Sequence, residues 1–131
     1  MSLHLRLLVL RHETDLEHHV IDPIDQLEFN QEYALFFQIQ RHGRDAAQDD
    51  PHTQANECVK TMPLPKQLQI GLAEYNSDRT RQDRYGNELT FTTAGELGVA
   101  ALSHETTQIN KAVMAYVRAL PPKTPIVLYW H

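Results

Sequence analysis

The chain has 131 residues, a hydrophobic fraction of 41%, a charged fraction of 22% and a formal net charge of −5. These values are typical of one globular domain that buries its own core, and they exclude a disordered chain. The negative charge argues against general nucleic-acid binding, because that activity needs a positive surface.

Residues 3–11 predict the first strand. Leu5, Leu7 and Val9 share one face, and Leu8 and Leu10 make the opposite face apolar as well. A strand that is apolar on both faces is typical of an inner position in a sheet. The apolar run itself is too short for a membrane span or a secretion signal. With a single cysteine, Cys58, the sequence favours a cytoplasmic protein without disulfides or membrane contact.

The segment 27–41 fits two different elements. The alternation of Tyr33, Leu35 and Phe37 fits a strand, whereas Asn30 as an N-cap and Gly43 near a C-terminus favour a helix. We favour the helix. The polar stretch 42–65 that follows is predicted to be a long surface excursion.

Two further strands, 67–75 and 88–93, are predicted to form a long antiparallel hairpin, because consecutive strands usually pair. Thr93 and Glu96 have the spacing of a capping box, which predicts that a helix begins at residue 94 and extends to 104. Thr106 or Thr107 can cap a second helix, 107–120, with an apolar stripe that includes Ile109 and Val113. Pro121 and Pro122 end that helix, and residues 125–130 form the last strand.

These elements predict an α+β fold for a single domain, residues 1–131. Its antiparallel sheet would contain four strands, with both helices of the C-terminal half on one face. The predicted strands are 3–11, 67–75, 88–93 and 125–130, and the predicted helices are 94–104 and 107–120.

Residues 12–19 form the first candidate site. His12, Asp15, His18 and His19 are ligand types that a divalent metal prefers, so this segment suggests a metal-dependent hydrolase. The spacing matches neither His-Glu-x-x-His nor His-x-x-Glu-His, and polar residues of this kind are common in solvated turns.

Residues 76–87 form the second candidate site, at the predicted hairpin tip. Arg79, Arg81, Arg84 and Tyr85 belong to residue types that dominate many binding surfaces, and they lie on a chain that is otherwise acidic. The alternative is a solvated tip in which neighbouring Asp side chains pair with the arginines.

The sequence therefore favours a small acidic binding or regulatory module that recognises another protein through its loops. Immunity, anti-defence and regulatory proteins of bacteria and phages share this profile by analogy alone. The metal-dependent hydrolase is the alternative. The chain has no glycine-rich phosphate loop and no G-x-S-x-G motif, so we predict no cofactor. Whether it forms a homo-oligomer stays open.

Overall fold

The computed structural model describes residues 3–39, 59–72 and 79–131, which adopt an α+β fold. Its strands are β1 (Leu5–Val9), β2 (Val20–Ile21), β3 (Asp25–Phe29), β4 (Met62–Pro63), β5 (Gln69–Gly71), β6 (Arg79–Thr80), β7 (Thr90–Thr93) and β8 (Pro125–Trp130). Its α-helices are α1 (Tyr33–Ile39), α2 (Ala94–Leu97) and α3 (Gln108–Ala119), and a 3-10 helix covers Glu13–Glu17.

The described strands form two sheets. The main sheet has the order β3-β1-β8-β7-β4, and every neighbouring pair in it is antiparallel. The small sheet has the order β2-β5-β6, in which β2 and β5 are parallel and β5 and β6 are antiparallel. The prediction of an antiparallel sheet with β1 at an inner position is confirmed.

The helices pack on one face of the main sheet. Leu5, Leu7 and Val9 of β1 belong to the same buried cluster as Val113 and Val117 of α3. Leu35, Phe36 and Ile39 of α1 and Leu97 of α2 join it. Tyr116 of α3 also donates a hydrogen bond to the Asp25 carboxylate of β3, which raises the pKa of this tyrosine.

A second buried cluster lies on the opposite face. Leu8 and Leu10 of the first strand region and Val127 of β8 pack there against Leu68 and Ile70 of the small-sheet layer. The main sheet is therefore covered on both faces, which explains why β1 is apolar on both of its sides.

The predicted membership of 67–75 in the main sheet is wrong. Only Gln69–Gly71 of its described residues are a strand, and this strand belongs to the small sheet. The predicted hairpin is wrong for the same reason, because β5 pairs with β6 while β7 pairs with β8 and β4. The physical cause is the second apolar face of the main sheet, which needs a cover that Leu68 and Ile70 supply. Residues 73–75 lie outside the described residues.

The ambiguous segment contains one element of each kind. Residues 25–29 are β3, and the helix favoured for 27–41 is confirmed for Tyr33–Ile39 as α1, while residues 40 and 41 lie outside the described residues. The first helical hydrogen bonds run to the Glu32 carbonyl from the amides of Leu35 and Phe36. The helix therefore starts later than an Asn30 cap predicted, because Phe29 completes the pairing of β3 with Leu5.

The helix predicted over 94–104 is shorter than expected. It ends at Leu97, and Arg118 of α3 donates hydrogen bonds to the carbonyls of Gly98 and Ala100, both at 3.0 Å. A longer helix would use these carbonyls for its own ladder, so the contact from α3 replaces helical bonds with tertiary ones.

The second helix begins where the sequence predicted and buries a different stripe. The Thr107 hydroxyl accepts a hydrogen bond from the Asn110 amide at 3.1 Å, which confirms Thr107 as the cap. Val113 and Val117 are buried as expected, but Ile109 is 54% exposed and Asn110 is fully buried. The prediction for Ile109 is wrong because polar contacts of Asn110 set the rotation of the helix, as described below.

Thr93→Ala is expected to lower the free energy of unfolding by about 1 kcal/mol. The Thr93 hydroxyl accepts from the Glu96 amide at 3.3 Å, so the alanine leaves that amide without its partner. In the predicted capping box the Glu96 carboxylate would accept from the Thr93 amide. It accepts instead from the Lys60 amide at 3.4 Å. Urea denaturation checks the value, with Thr14→Ala as a matched exposed control. Equal midpoints for both variants would contradict it.

Among the described residues, no helix has both the length and the apolar character needed to cross a membrane.

Candidate functional site

A groove of about 760 Å³ lies between the 3-10 helix and the segment 62–67, beside the edge of the main sheet. Its apolar lining consists of Leu16, Met62, Pro65, Phe91 and Pro125. Its polar lining consists of Glu13, Thr14, Glu17, Gln67, Thr93 and Lys123. This volume lies within the range of about 300–1,000 Å³ that is usual for ligand sites.

The 3-10 helix forms the first wall, and Asp15 holds it in place. The Asp15 carboxylate oxygen Oδ2 accepts hydrogen bonds from the amides of Arg11 at 3.0 Å and His12 at 3.2 Å. Leu16 packs on the second buried cluster, and this contact anchors the 3-10 helix to the domain. These contacts leave the side chains of Glu13 and Glu17 exposed at the groove.

The segment 62–67 forms the second wall. Met62 of β4 pairs with Phe91 of β7, and the Leu64 amide donates to the Leu89 carbonyl at 3.1 Å. Beyond that point the wall turns sharply, with the Leu68 amide bonded to the Pro65 carbonyl at 3.0 Å. The wall therefore has a fixed backbone path from β4 to the buried Leu68.

Arg81 braces this second wall from outside the groove. Its guanidinium nitrogen Nη1 lies 2.5 Å from the carbonyl oxygens of both Pro65 and Leu68. A weaker ion pair joins Arg81 to Glu88 at 3.9 Å. The structure thus places Arg81 in the body of the domain, apart from the solvent-exposed arginines with which it was grouped in the sequence.

Arg79, Arg84 and Tyr85 are exposed. Arg79 belongs to β6, whereas the other two lie together in the turn formed by residues 82–88. The Arg84 amide donates to the Trp130 carbonyl at 3.1 Å, which holds this turn against the end of β8. Residues 76–78 of the predicted tip lie outside the described residues.

The 82–88 turn is also fixed from within. Asp83 is only 7% exposed, and its Oδ1 accepts hydrogen bonds from the amides of Tyr85 at 2.8 Å and Asn87 at 3.1 Å. Gly86 has a φ of 84°, a conformation that most side chains disfavour, and its amide bonds to the Asp83 carbonyl. Asp83 therefore shapes the backbone here, in addition to any pairing with arginine.

In the structure, the side chains of the predicted metal ligands do not point to a common site. Asp15 directs its carboxylate at backbone amides, while His12, His18 and His19 are exposed. Within residues 3–39, 59–72 and 79–131, no three His, Cys, Asp or Glu side chains are close enough to hold a metal ion. These positions give the metal-dependent hydrolase no geometric support.

A second polar cluster lies on the same face of the main sheet as the groove, around the ends of β1 and β8. His131 Nε2 lies 2.5 Å from Glu28 Oε1, and the Arg6 guanidinium lies over the Tyr129 ring at 5.8 Å. His4 stacks on His131 at a centroid distance of 5.5 Å. The His4–His131 and Arg6–Tyr129 contacts join the neighbouring strands β1 and β8, and the Glu28–His131 contact reaches from β3 across β1, so these side chains act first as cross-strand contacts of the sheet.

Sequence reasoning missed the apolar half of the groove. Met62, Phe91 and Pro125 come from three different strands, and none of them stands out from the hydrophobic pattern around it. One signal was present: residues 13–17 of the groove fall within the polar segment flagged for metal binding. That segment matters here as a wall of the groove and not as a set of ligands.

Replacing both Arg79 and Arg84 with serine is expected to change the free energy of unfolding by no more than about 0.5 kcal/mol, because both side chains are exposed. Adding Arg81→Ser to these two changes is expected to destabilise the protein clearly. If all three arginines lay on a solvated tip, the triple variant would be as stable as the wild type. Chemical denaturation of the double and triple variants separates the two cases. Coincident denaturation curves for the double and triple variants would contradict a stabilising role of Arg81.

The chain matches no protein-family model, no curated protein and no solved structure in the comparisons made.

Proposed function

We propose that this protein is a small acidic intracellular binding module, of the immunity, anti-defence or regulatory type, that recognises another protein through its loops. The observation that carries the proposal is the groove of about 760 Å³, whose two walls, the 3-10 helix and the segment 62–67, both have a fixed backbone path. The partner would insert an apolar segment between the 3-10 helix and the segment 62–67.

Preorganisation supports this proposal. Both walls are held by contacts made without a partner: Asp15 on the first wall, and Arg81 with the β4–β7 pairing on the second. A site that is ordered before binding loses less conformational entropy when a partner binds, so more of the contact energy appears as affinity.

The chemistry of the lining also favours recognition of a partner. The apolar lining supplies buried contact area, and Met62, which is 52% exposed, has the flexible side chain common at adaptable binding surfaces. Arg79, Arg84 and Tyr85 stay predicted contacts for the same partner.

Selection from a displayed library of random peptides tests the proposal. Wild-type protein is the target, and Gln67→Trp serves for counter-selection, because a large ring at this exposed lining position fills the groove. Thr14→Trp blocks the opposite wall in the same way. Lys111→Trp is the matched control, since this exposed residue belongs to α3 on the helical face.

The selected peptides should bind the wild type and Lys111→Trp equally. They should bind each groove-blocking variant at least about tenfold more weakly, a difference of roughly 1.4 kcal/mol. The proposal fails if no peptide is enriched, or if the enriched peptides bind the blocked variants as well as the wild type.

A further inference from the structure

The charges of the groove are unevenly placed. Glu13 and Glu17 line it from the 3-10 helix, while Lys123 lines it from the turn that precedes β8. All three side chains are exposed, and among the described residues none of them forms an ion pair within the chain. One wall is therefore anionic, and the single cation comes from a separate segment.

We propose that the groove selects a basic apolar segment: an apolar side chain of the partner enters between the walls, and a neighbouring Lys or Arg pairs with Glu13 and Glu17. This inference rests on the proposed function, because it specifies the partner chemistry of the same groove. Lys123 then faces the other end of the segment, where it favours a carbonyl or carboxylate and sets the direction of binding.

Charge complementarity carries the choice of a basic segment. Two carboxylates against one ammonium give the lining a net charge of −1, and the whole chain has a formal charge of −5. A negative field raises the association rate of cationic partners and lowers that of anionic ones. The apolar lining then excludes water beside the two carboxylates once a segment is bound, which strengthens their attraction to a cation.

The geometry of the first wall favours a cation at the end of a long side chain. Glu13 and Glu17 lie four residues apart in a helix whose Asp15 is turned towards backbone amides. Asp15 is not part of the lining, so Glu13 and Glu17 alone form the acidic rim on this wall. Lys and Arg suit this rim, because their long aliphatic stems can lie along apolar surface while the charged end meets the acids.

Fluorescence anisotropy with three labelled peptides tests the inference. The peptides are acetylated and amidated, share a Leu-Phe core, and carry two Lys, two Gln or two Glu before that core. The Lys peptide should bind at least about tenfold more tightly than the Gln peptide. This preference should shrink as salt rises, because the screening length falls from about 30 Å at 0.01 M to about 3 Å at 1 M.

The double variant Glu13→Gln and Glu17→Gln removes the acids and keeps the side-chain size. It should bind the Lys and Gln peptides equally, with the affinity for the Gln peptide unchanged. The double variant Asp22→Asn and Glu105→Gln is the control for net charge, because it removes the same two charges at residues that are exposed outside the groove. It should keep the preference for the Lys peptide.

The outcomes separate the two proposals. If all three peptides bind alike and Gln67→Trp abolishes their binding, the groove recognises apolar segments and the charge inference is overturned. Tighter binding of the Glu peptide, lost in Lys123→Gln, also overturns it. If none of the three peptides binds while the library selection yields groove-dependent acidic or neutral peptides, only the charge inference fails. If neither experiment gives groove-dependent binding, both proposals fail.

Discussion

Replacing Asn110 with alanine is expected to lower the free energy of unfolding by about 3 kcal/mol, a large effect for one polar side chain. Asn110 is fully buried on α3, yet every polar atom of its side chain is bonded. Its Oδ1 accepts from the Asn30 amide at 2.8 Å, and its Nδ2 donates to the Asn30 carbonyl at 3.1 Å.

The reason for the large effect is the number of groups that lose partners together. The Asn30 amide and carbonyl both depend on Asn110, and Glu32 Oε1 lies 3.3 Å from its Nδ2. Glu32 in turn accepts from the Thr106 hydroxyl and the Ser103 amide. Removing the side-chain amide of Asn110 therefore breaks the contacts that join the β3–α1 junction to the start of α3.

Urea denaturation measures this effect. Lys111→Ala is the matched control on the exposed side of the same helix, and it should change stability by less than about 0.5 kcal/mol. Asn110→Asp keeps the acceptor and loses the donor, so it should also be strongly destabilised. A midpoint for Asn110→Ala equal to that of Lys111→Ala would show that the junction is held by packing alone.

Local patterns made the main elements predictable. The two apolar faces of Leu5–Val9, the proline-led strand Pro125–Trp130 and the hydroxyl caps at Thr93 and Thr107 are all visible within a few residues of sequence. Each depends on short-range stereochemistry, namely strand alternation, a fixed proline φ and a hydroxyl beside free helical amides. For this reason they were predicted with nearly the right positions.

Features set by distant contacts were not predictable in the same way. The alternation of Leu68 and Ile70 indicates a strand but does not say which sheet it joins. That depends on the second apolar face made by Leu8 and Val127, far away in sequence. Likewise, Ile109 and Asn110 are adjacent, and only the partners of Asn110 on another segment decide which of the two is buried.

The groove was hidden for a related reason. Its lining is assembled from residues 13–17, 62–67, 91–93 and 123–125, which become neighbours only when β4, β7 and β8 pair in the main sheet and the 3-10 helix packs against it. Arg81 shows the same limit most clearly. By sequence it belongs with Arg79 and Arg84, and its inward direction follows from carbonyls that lie more than ten residues away.

Arg81→Met is expected to weaken peptide binding in the groove at least about tenfold and to lower the free energy of unfolding by about 2 kcal/mol. Methionine keeps much of the side-chain length and removes the guanidinium that lies 2.5 Å from the carbonyl oxygens of Pro65 and Leu68. Without this brace, the second wall of the groove loses its fixed position before the partner arrives, and ordering it then opposes binding.

Affinity is measured by anisotropy with a library-selected peptide, at a temperature where circular dichroism shows the variant fully folded. Lys111→Met is the control, since Lys111 is an exposed cation on α3 outside the groove, and it should leave both the affinity and the denaturation midpoint unchanged. Arg81→Lys should recover part of the affinity, because an ammonium can still donate to one of the two carbonyls. If folded Arg81→Met binds the peptide as tightly as the wild type, Arg81 stabilises the domain without positioning the groove. If its stability is also unchanged, the two carbonyl contacts contribute nothing measurable, and the β4–β7 pairing alone holds the wall.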